Sequence, residues 1–325
     1  MRRTKQWPKI LPFLAVILLL MGWVNQAESQ EKYPTRAIDI IVATGPGGSL
    51  DLDARITAEF LKRKWRVPIN IINKPGGSSV IGNTEVYQAA PDGYTILADC
   101  QSSCSMLEVS IQNLPFKIMD RTFIAMLAEA LSVFYVPVKY PWKTLKEIEA
   151  EIKRNPGEFT WTSMGGGGGD YAIRQFFKAI QVDLSKTKPV MCRGGAEAAS
   201  MTAGGNVKLG ISSATTAYPT VQAGMTRAVA ITGRRMSEFP DLPTTAEQGY
   251  PSVDQVWWFG FSGPPKLPAH IVDKWNEAAQ EIVKDKEFDA KLKNVLCVPR
   301  YRNAAETREQ VKKEMEDAQK LWGVK

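Results

Sequence analysis

A chain of 325 residues with 44% apolar content is long enough for two domains and a full hydrophobic core. Its 41 basic and 34 acidic residues give a formal charge of +7, which falls to +4 once the four basic residues and one acidic residue of positions 1–29 are set aside. That diffuse excess suits anionic small molecules or plain solubility, and it argues against a nucleic-acid binder, because no basic stripe interleaved with aromatics appears.

The chain opens with Arg2, Arg3, Lys5 and Lys9, followed by an apolar run of fifteen residues from Ile10 to Val24. A membrane span needs about 20 residues. The run therefore reads as a secretory signal peptide over residues 1–29, with Ala27 and Ser29 as a small-x-small cleavage site. A retained membrane anchor is the alternative. From Tyr33 onward strands and helices alternate. "AIDIIVA" is a β-branched strand, "TGPGGS" a turn and "LDLDARITAEFLKRKW" a helix. "PINIINK" is a second strand, leading through "PGGSS" to a helix around "IGNTEVYQAA", and "YTILADC" is a third strand. "SVFYVPV", "FTWTS", "VKLGISS", "TRAVAIT" and "WWFGFSGP" read as further strands. "TLKEIEAEIKRN" is a helix. Another starts at Pro268, with Ile271, Val272, Trp275, Ala278, Ala279, Ile282 and Val283 on one face, and a charged helix closes the chain from Ala304 to Trp322. Strands alternating with helices predict an α/β fold built from βαβ units with parallel sheets, in two lobes.

Three glycine-rich turns each lead from a strand into a helix: Gly45 to Ser49, Gly76 to Ser79 and Gly165 to Gly169. Bare backbone at a helix N-terminus offers amide donors and roughly half a positive charge to an anion; a tight turn is the plainer reading. In open α/β sheets such turns lie at the ligand-binding edge. Enzyme chemistry is poorly supported. The only histidine, His270, opens an amphipathic helix, and "GPGGS" is neither a dinucleotide nor a P-loop motif. Cys100, Cys104, Cys192 and Cys297 lack the spacing of a zinc site, so neither metal nor cofactor is expected. Cys100 and Cys104 are near enough in sequence to bridge, while Cys192 and Cys297 read as small buried hydrophobes.

Five blocks, in order, resemble the extracytoplasmic solute receptors of tripartite tricarboxylate transporters, also called Bug receptors. They are "YPTRAIDIIVATGPGGSLDLDAR", "NKPGGSSVIGNTEVYQAAPDGYTIL", "CRGGAEAASMTAGGNVKL", "AVAITGRRMSEFPDLPTTAEQGYP" and "WFGFSGPPKLP". The resemblance implies a periplasmic-binding-protein-like (type II) Venus flytrap, each lobe a mainly parallel sheet flanked by helices. Lobe one would span 33–132 plus 254–325, and lobe two 133–253. It also implies a periplasmic receptor, monomeric and without catalysis, that closes on an organic carboxylate or an amino acid and hands it to membrane permease subunits. A ligand-presenting sensor for a two-component system is the alternative, and an exported hydrolase or transferase on the same scaffold is a more distant one.

By the resemblance, the ligand lies between Pro46, Gly47, Gly48, Ser49 and Asp51 in one lobe and Ser163, Met164, Gly165, Gly166, Gly167, Gly168 and Gly169 in the other, with Arg193 in a basic position. The family's second loop commonly reads S-x-G-x-G-S-x-x-H. Here Gly168 stands for the hydroxyl residue and Tyr171 for the histidine, and Asp170 is additional. Asp170 reads as the N-cap of the following helix, or alternatively as a partner for an amino or amide group. Ser102, Ser103, Ser212 and Ser213 are candidate hydroxyl donors, and Trp257, Trp258 and Met164 candidate apolar walls.

Overall fold

The computed structural model describes residues 32–323, and the expected signal peptide lies outside them. Strand β1 (Ile38–Val42) leads through the first glycine turn into α1 (Ser49–Trp65). Next come β2 (Ile69–Asn73), α2 (Val80–Gln88), β3 (Thr95–Asp99) and the single turn α3 (Leu107–Ser110). β1 pairs in parallel with β2 on one side and β3 on the other. Its Ile38, Ile40, Ile41 and Val42 are all buried, as a strand covered on both faces requires. Leu50, Ala54, Ala58 and Leu61 give α1 its apolar stripe, and Lys62, Arg63 and Lys64 complement the dipole at its end.

The organising element is β4 (Thr122–Pro137), sixteen residues long. After it come α4 (Leu145–Arg154), β5 (Thr160–Ser163), α5 (Gly168–Ala179), β6 (Lys188–Met191) and α6 (Gly195–Ala203). β7 (Gly210–Ser213), α7 (Ala214–Gln222) and β8 (Thr226–Ile231) complete this part of the chain. The chain then returns as β9 (Val256–Gly263), α8 (Ala269–Ile282), α9 (Lys286–Asn294), β10 (Val298–Arg302) and α10 (Ala304–Trp322). From Thr122 to Leu131, β4 runs antiparallel to β9, with β10 on its other side. From Ser132 onward its partners are β7 and β8, again antiparallel.

The two-lobed α/β fold with flanking helices is as expected, but the sheets are mixed rather than mainly parallel. The first sheet has the order β10-β4-β9-β3-β1-β2. The parallel pairs are confined to β1–β3 in one lobe and to β5–β6 in the other. The reason is that β4 runs from one lobe into the other and the chain returns into β9 beside the first part of β4, so the first sheet holds antiparallel neighbours, as the second does in β7 and β8. Thr232 ties the crossings together. Its amide donates to Ser132 O (2.9 Å) and its hydroxyl donates to Gln255 O (2.6 Å).

Each lobe has its own core. One is built on Ile40, Ile96, Phe259, Phe261, Trp275 and Phe288, the other on Phe134, Ile148, Phe159, Trp161, Phe176 and Val229. α10 reaches across both. Its half-buried Glu314 accepts from Trp258 Nε1 (2.9 Å) and Ser105 Oγ (2.5 Å), while Trp322 at its end stacks on Tyr171 and lies under the Arg174 guanidinium.

Candidate ligand-binding site

Four helices, α1, α5, α6 and α7, point their N-termini into the space between the lobes. Their cap residues are Gly48, Gly167, Gly194 and Ser213, and none makes a side-chain cap hydrogen bond. Apart from Gly168 N, which donates to Ser102, first-turn amides therefore remain as donors, each helix end carrying roughly half a positive charge. The lobes are closed on one another. Gly45 N donates to Arg193 O (3.3 Å), Gly168 N donates to Ser102 Oγ (3.1 Å), and the hydroxyls of Ser49 and Ser213 are hydrogen-bonded.

Behind each glycine loop stands an aspartate. Asp51 accepts from Gly47 N (2.9 Å), Arg55 Nε (3.0 Å) and Asn73 Nδ2 (2.9 Å). Burial pushes its carboxyl up, but Arg55, the Gly47 amide and Asn73 outweigh burial and hold it below the ordinary aspartate value. Asp170 does the same in the other lobe. It accepts from the Ser163 hydroxyl and from Met164 N (3.0 Å), with the Gly166 amide also directed at it. It is the third residue of α5 rather than its cap, which is Gly167. Burial raises the Asp170 carboxyl above its ordinary value, and these hydrogen bonds offset that only partly. The loop it organises needs glycine: Gly165 and Gly166 sit at φ +79° and +132°, and a Cβ on Gly166 would lie 2.0 Å from Ser110.

Between the helix ends lies a small cavity of about 40 Å³. A single water needs about 10–15 Å³ by this measure, so the closed form has room for a few waters or a correspondingly small solute. Leu50, Met164, Ile211, Trp257 and Phe259 form apolar walls. Thr44, Ser49, Ser102, Thr162, Ser212 and Ser213 supply hydroxyls, and Asp170 the one carboxyl. No Lys, Arg or His is among the described residues that line it. The thiols of Cys100 and Cys192 face it from opposite lobes, and burial pushes Cys192 up to about 12.

Of the residues singled out in the sequence, Gly48, Ser49, Ser102, Met164, Gly169, Asp170, Ser212, Ser213 and Trp257 meet at this cavity. The others lie elsewhere. Pro46, Gly47, Gly167 and Gly168 shape the two loops without lining it, and Asp51 and Ser163 buttress those loops. Gly165 and Gly166 face an outer groove of about 540 Å³ shared with Arg174 and Trp322. Ser103 turns away to donate to Asp99 (2.7 Å), which is also paired with Arg121 (3.1 Å). The Arg193 side chain is 76% exposed and paired with Glu197 (3.0 Å); only its backbone carbonyl takes part in closure. Trp258 packs inward while Trp257 lines the cavity. All four cysteines are free, so Cys100 and Cys104 are not bridged.

Sequence reasoning missed Thr44, Leu50, Cys100, Thr162, Cys192, Gly194, Gly195, Ala198, Ile211 and Phe259. Gly194 and Gly195 carried the same signal as the other loops, paired glycines opening a helix. Phe259 follows from Trp257 by the two-residue period of a strand.

The family profile described as "Tripartite tricarboxylate transporter family receptor" matches residues 54–322. The chain is 30% identical over 273 residues to a UPF0065 protein of Bordetella pertussis, covering 83% of each. It is also 28% identical over 279 residues to the protein BugT of the same organism, covering 84% of this chain and 85% of that one. Among solved structures, the fold superposes on Rhodopseudomonas palustris Rpa4515 with adipate at a TM-score of 0.84 and 23% identity, covering 90% of this chain and 99% of that one. MatC from Rhodopseudomonas palustris, with bound malate, superposes at 0.82 and 21% identity, covering 89% and 100%.

Proposed function

The chain belongs to the tripartite tricarboxylate transporter family of receptors, and from that premise we propose that it captures a small organic carboxylate between its lobes and delivers it to membrane permease subunits. One observation carries the ligand class: four helix N-termini without side-chain caps converge on a closed cavity that no basic side chain lines among the described residues. A carboxylate there gains charge-assisted hydrogen bonds from backbone amides, which are about twice as strong as neutral ones. Malate and adipate in the two superposed proteins are acids of this class.

The protein acts as an exported, periplasmic monomer without chemistry of its own, its first 29 residues being removed on export. Among the described residues no helix is long and apolar enough to cross a membrane. Lobe bounds of 33–132 with 254–325, and 133–253, are supported by the change of β4 partners at Ser132. The hinge of this reading is the pair of crossings that Thr232 ties together through Ser132 and Gln255.

The test is a thermal-shift series on residues 30–325 with succinate, citrate, benzoate, glutamate and an amide control. An acid at about 100 times its dissociation constant adds about 2.7 kcal/mol, several degrees in melting temperature. A shift with amides or amines and none with any acid would sink the carboxylate reading.

A further inference from the structure

Two residues that line the cavity carry buried polar atoms with no partner. They are Thr44, 7% exposed, through Oγ1, and Trp257, 8% exposed, through the indole Nε1. Among the described residues the indoles of Trp161, Trp258 and Trp275 donate to Thr187, Glu314 and Tyr33, and Trp65 Nε1 is the other buried indole nitrogen without a partner, but it does not line the cavity. A buried donor left without an acceptor is costly, and native proteins almost always supply one. The indole ring is fixed where it stands. Trp257 is paired in register with Ala130 on β4, and its six-membered edge lies against Gly168 at the N-terminus of α5, about 3.0 Å from where a Cβ would be.

An indole N–H can only donate. Its partner is therefore an oxygen or another acceptor, never an ammonium group. The one carboxyl at the cavity, Asp170, already accepts from Ser163, Met164 and Gly166, so its oxygens are turned to its own loop. The helix ends account for one carboxylate of the ligand.

We propose that Trp257 is a specificity-determining residue, whose indole N–H reads a second acceptor oxygen of the ligand while Thr44 supplies a further hydroxyl. The receptor then selects short acids bearing a carbonyl, hydroxyl or second carboxyl oxygen over the unsubstituted acid of the same length. This rests on the carboxylate reading above.

The experiment is calorimetric titration of residues 30–325 with matched acids: butyrate against 2-oxobutyrate, 3-hydroxybutyrate and succinate. Wild type prefers at least one oxygen-bearing acid to butyrate. In Trp257→Phe, which keeps an aromatic ring and removes the donor, the ratio of oxygen-bearing acid to butyrate affinity falls roughly five- to tenfold, as the loss of one neutral hydrogen bond implies; the smaller wall affects all the acids alike and cancels in that ratio. Thr44→Val reduces the preference by a smaller factor. A ratio unchanged in Trp257→Phe, or an equal loss for every acid, overturns the role of Trp257 and leaves the carboxylate reading standing. Failure of every acid to bind wild type overturns both. Should Trp257→Phe not fold, a structure of wild type with its preferred acid decides. A ligand oxygen within about 3.2 Å of Nε1 supports the proposal, and an indole with no ligand oxygen in reach overturns it.

Discussion

The helices around the cavity and those on the outer surface begin differently. α4 starts with Thr144 and Glu147 in a reciprocal capping box, α10 does the same with Asn303 and Glu306, and Asp285 caps α9 through the amides of Glu287 and Phe288. α1, α5, α6 and α7 have no side-chain cap at all. The contrast is not absolute, since α2 and α8 also begin bare. Yet every helix that opens on the cavity forgoes a side-chain cap, at a cost of roughly a few tenths of a kcal/mol where the cap is glycine, and keeps most of its first-turn donors for something else. Stability is placed at the periphery, and binding capacity where the lobes meet.

Giving an inner helix a cap is the most direct way to break that pattern. Gly48 has φ −75°, and a Cβ there would meet nothing closer than Gly45 O at 3.5 Å, so the backbone tolerates Gly48→Asp. The new carboxylate caps α1 and occupies its amides. Charge-assisted hydrogen bonds contribute roughly 1.5–3 kcal/mol each, so losing two weakens ligand binding about a thousandfold. Titration with the acid that wild type binds would show this, and a melting temperature at or above wild type would show an intact fold. Unchanged affinity would remove α1 from the site.

The same helix sharpens the contrast between a held and an unheld group. Asp51 has three partners, whereas Asp53 is 2% exposed, has a carboxyl oxygen without one, and is raised by burial to about 7. Because the folded value lies above the unfolded one, the protonated acid is the form the fold favours. Its contribution is fully present below about pH 4 and is lost as pH rises through about 7. Between pH 5 and 8 the expected decline is about 2–3 kcal/mol. Asp53→Asn should flatten it, giving a variant more stable than wild type at pH 8. Denaturant melts at both pH values check this, and parallel curves for the two proteins would contradict it.

The smallest effect completes the comparison. Thr144→Ala removes an outer cap and should cost about 1 kcal/mol, or about 2 °C in melting temperature for a chain of this size. Acid affinity should be untouched.

Much of this architecture was legible because local chemistry and global placement agree. Ile38, Ile40, Ile41 and Val42 are β-branched and buried, and paired glycines open α1 and α5. The first half of β4 was not legible. "TFIAMLAEAL" is rich in Ala, Leu, Met and Glu, all good helix formers, and it is extended only because β9 and β10 flank it. At the site, sequence located the loops but not the direction of their side chains. Asp170 turns back onto its own loop, Ser103 toward Asp99 and Arg193 toward Glu197, each drawn by a partner that no local pattern announces. Thr44, Thr162 and Ile211 lie far apart in the chain and share a wall only because two sheets end at the same cleft.

One strand has a further mechanical consequence. The backbone of β4 supplies hydrogen bonds to β9 and β10 in one lobe and, after Leu131, to β7 and β8 in the other. Neither sheet can release it without loosening a cable that the other is gripping. A rupture that starts beside Phe134 is carried along the same sixteen residues toward Ile124. The halves that swing apart to admit a solute are thus bound to come undone together.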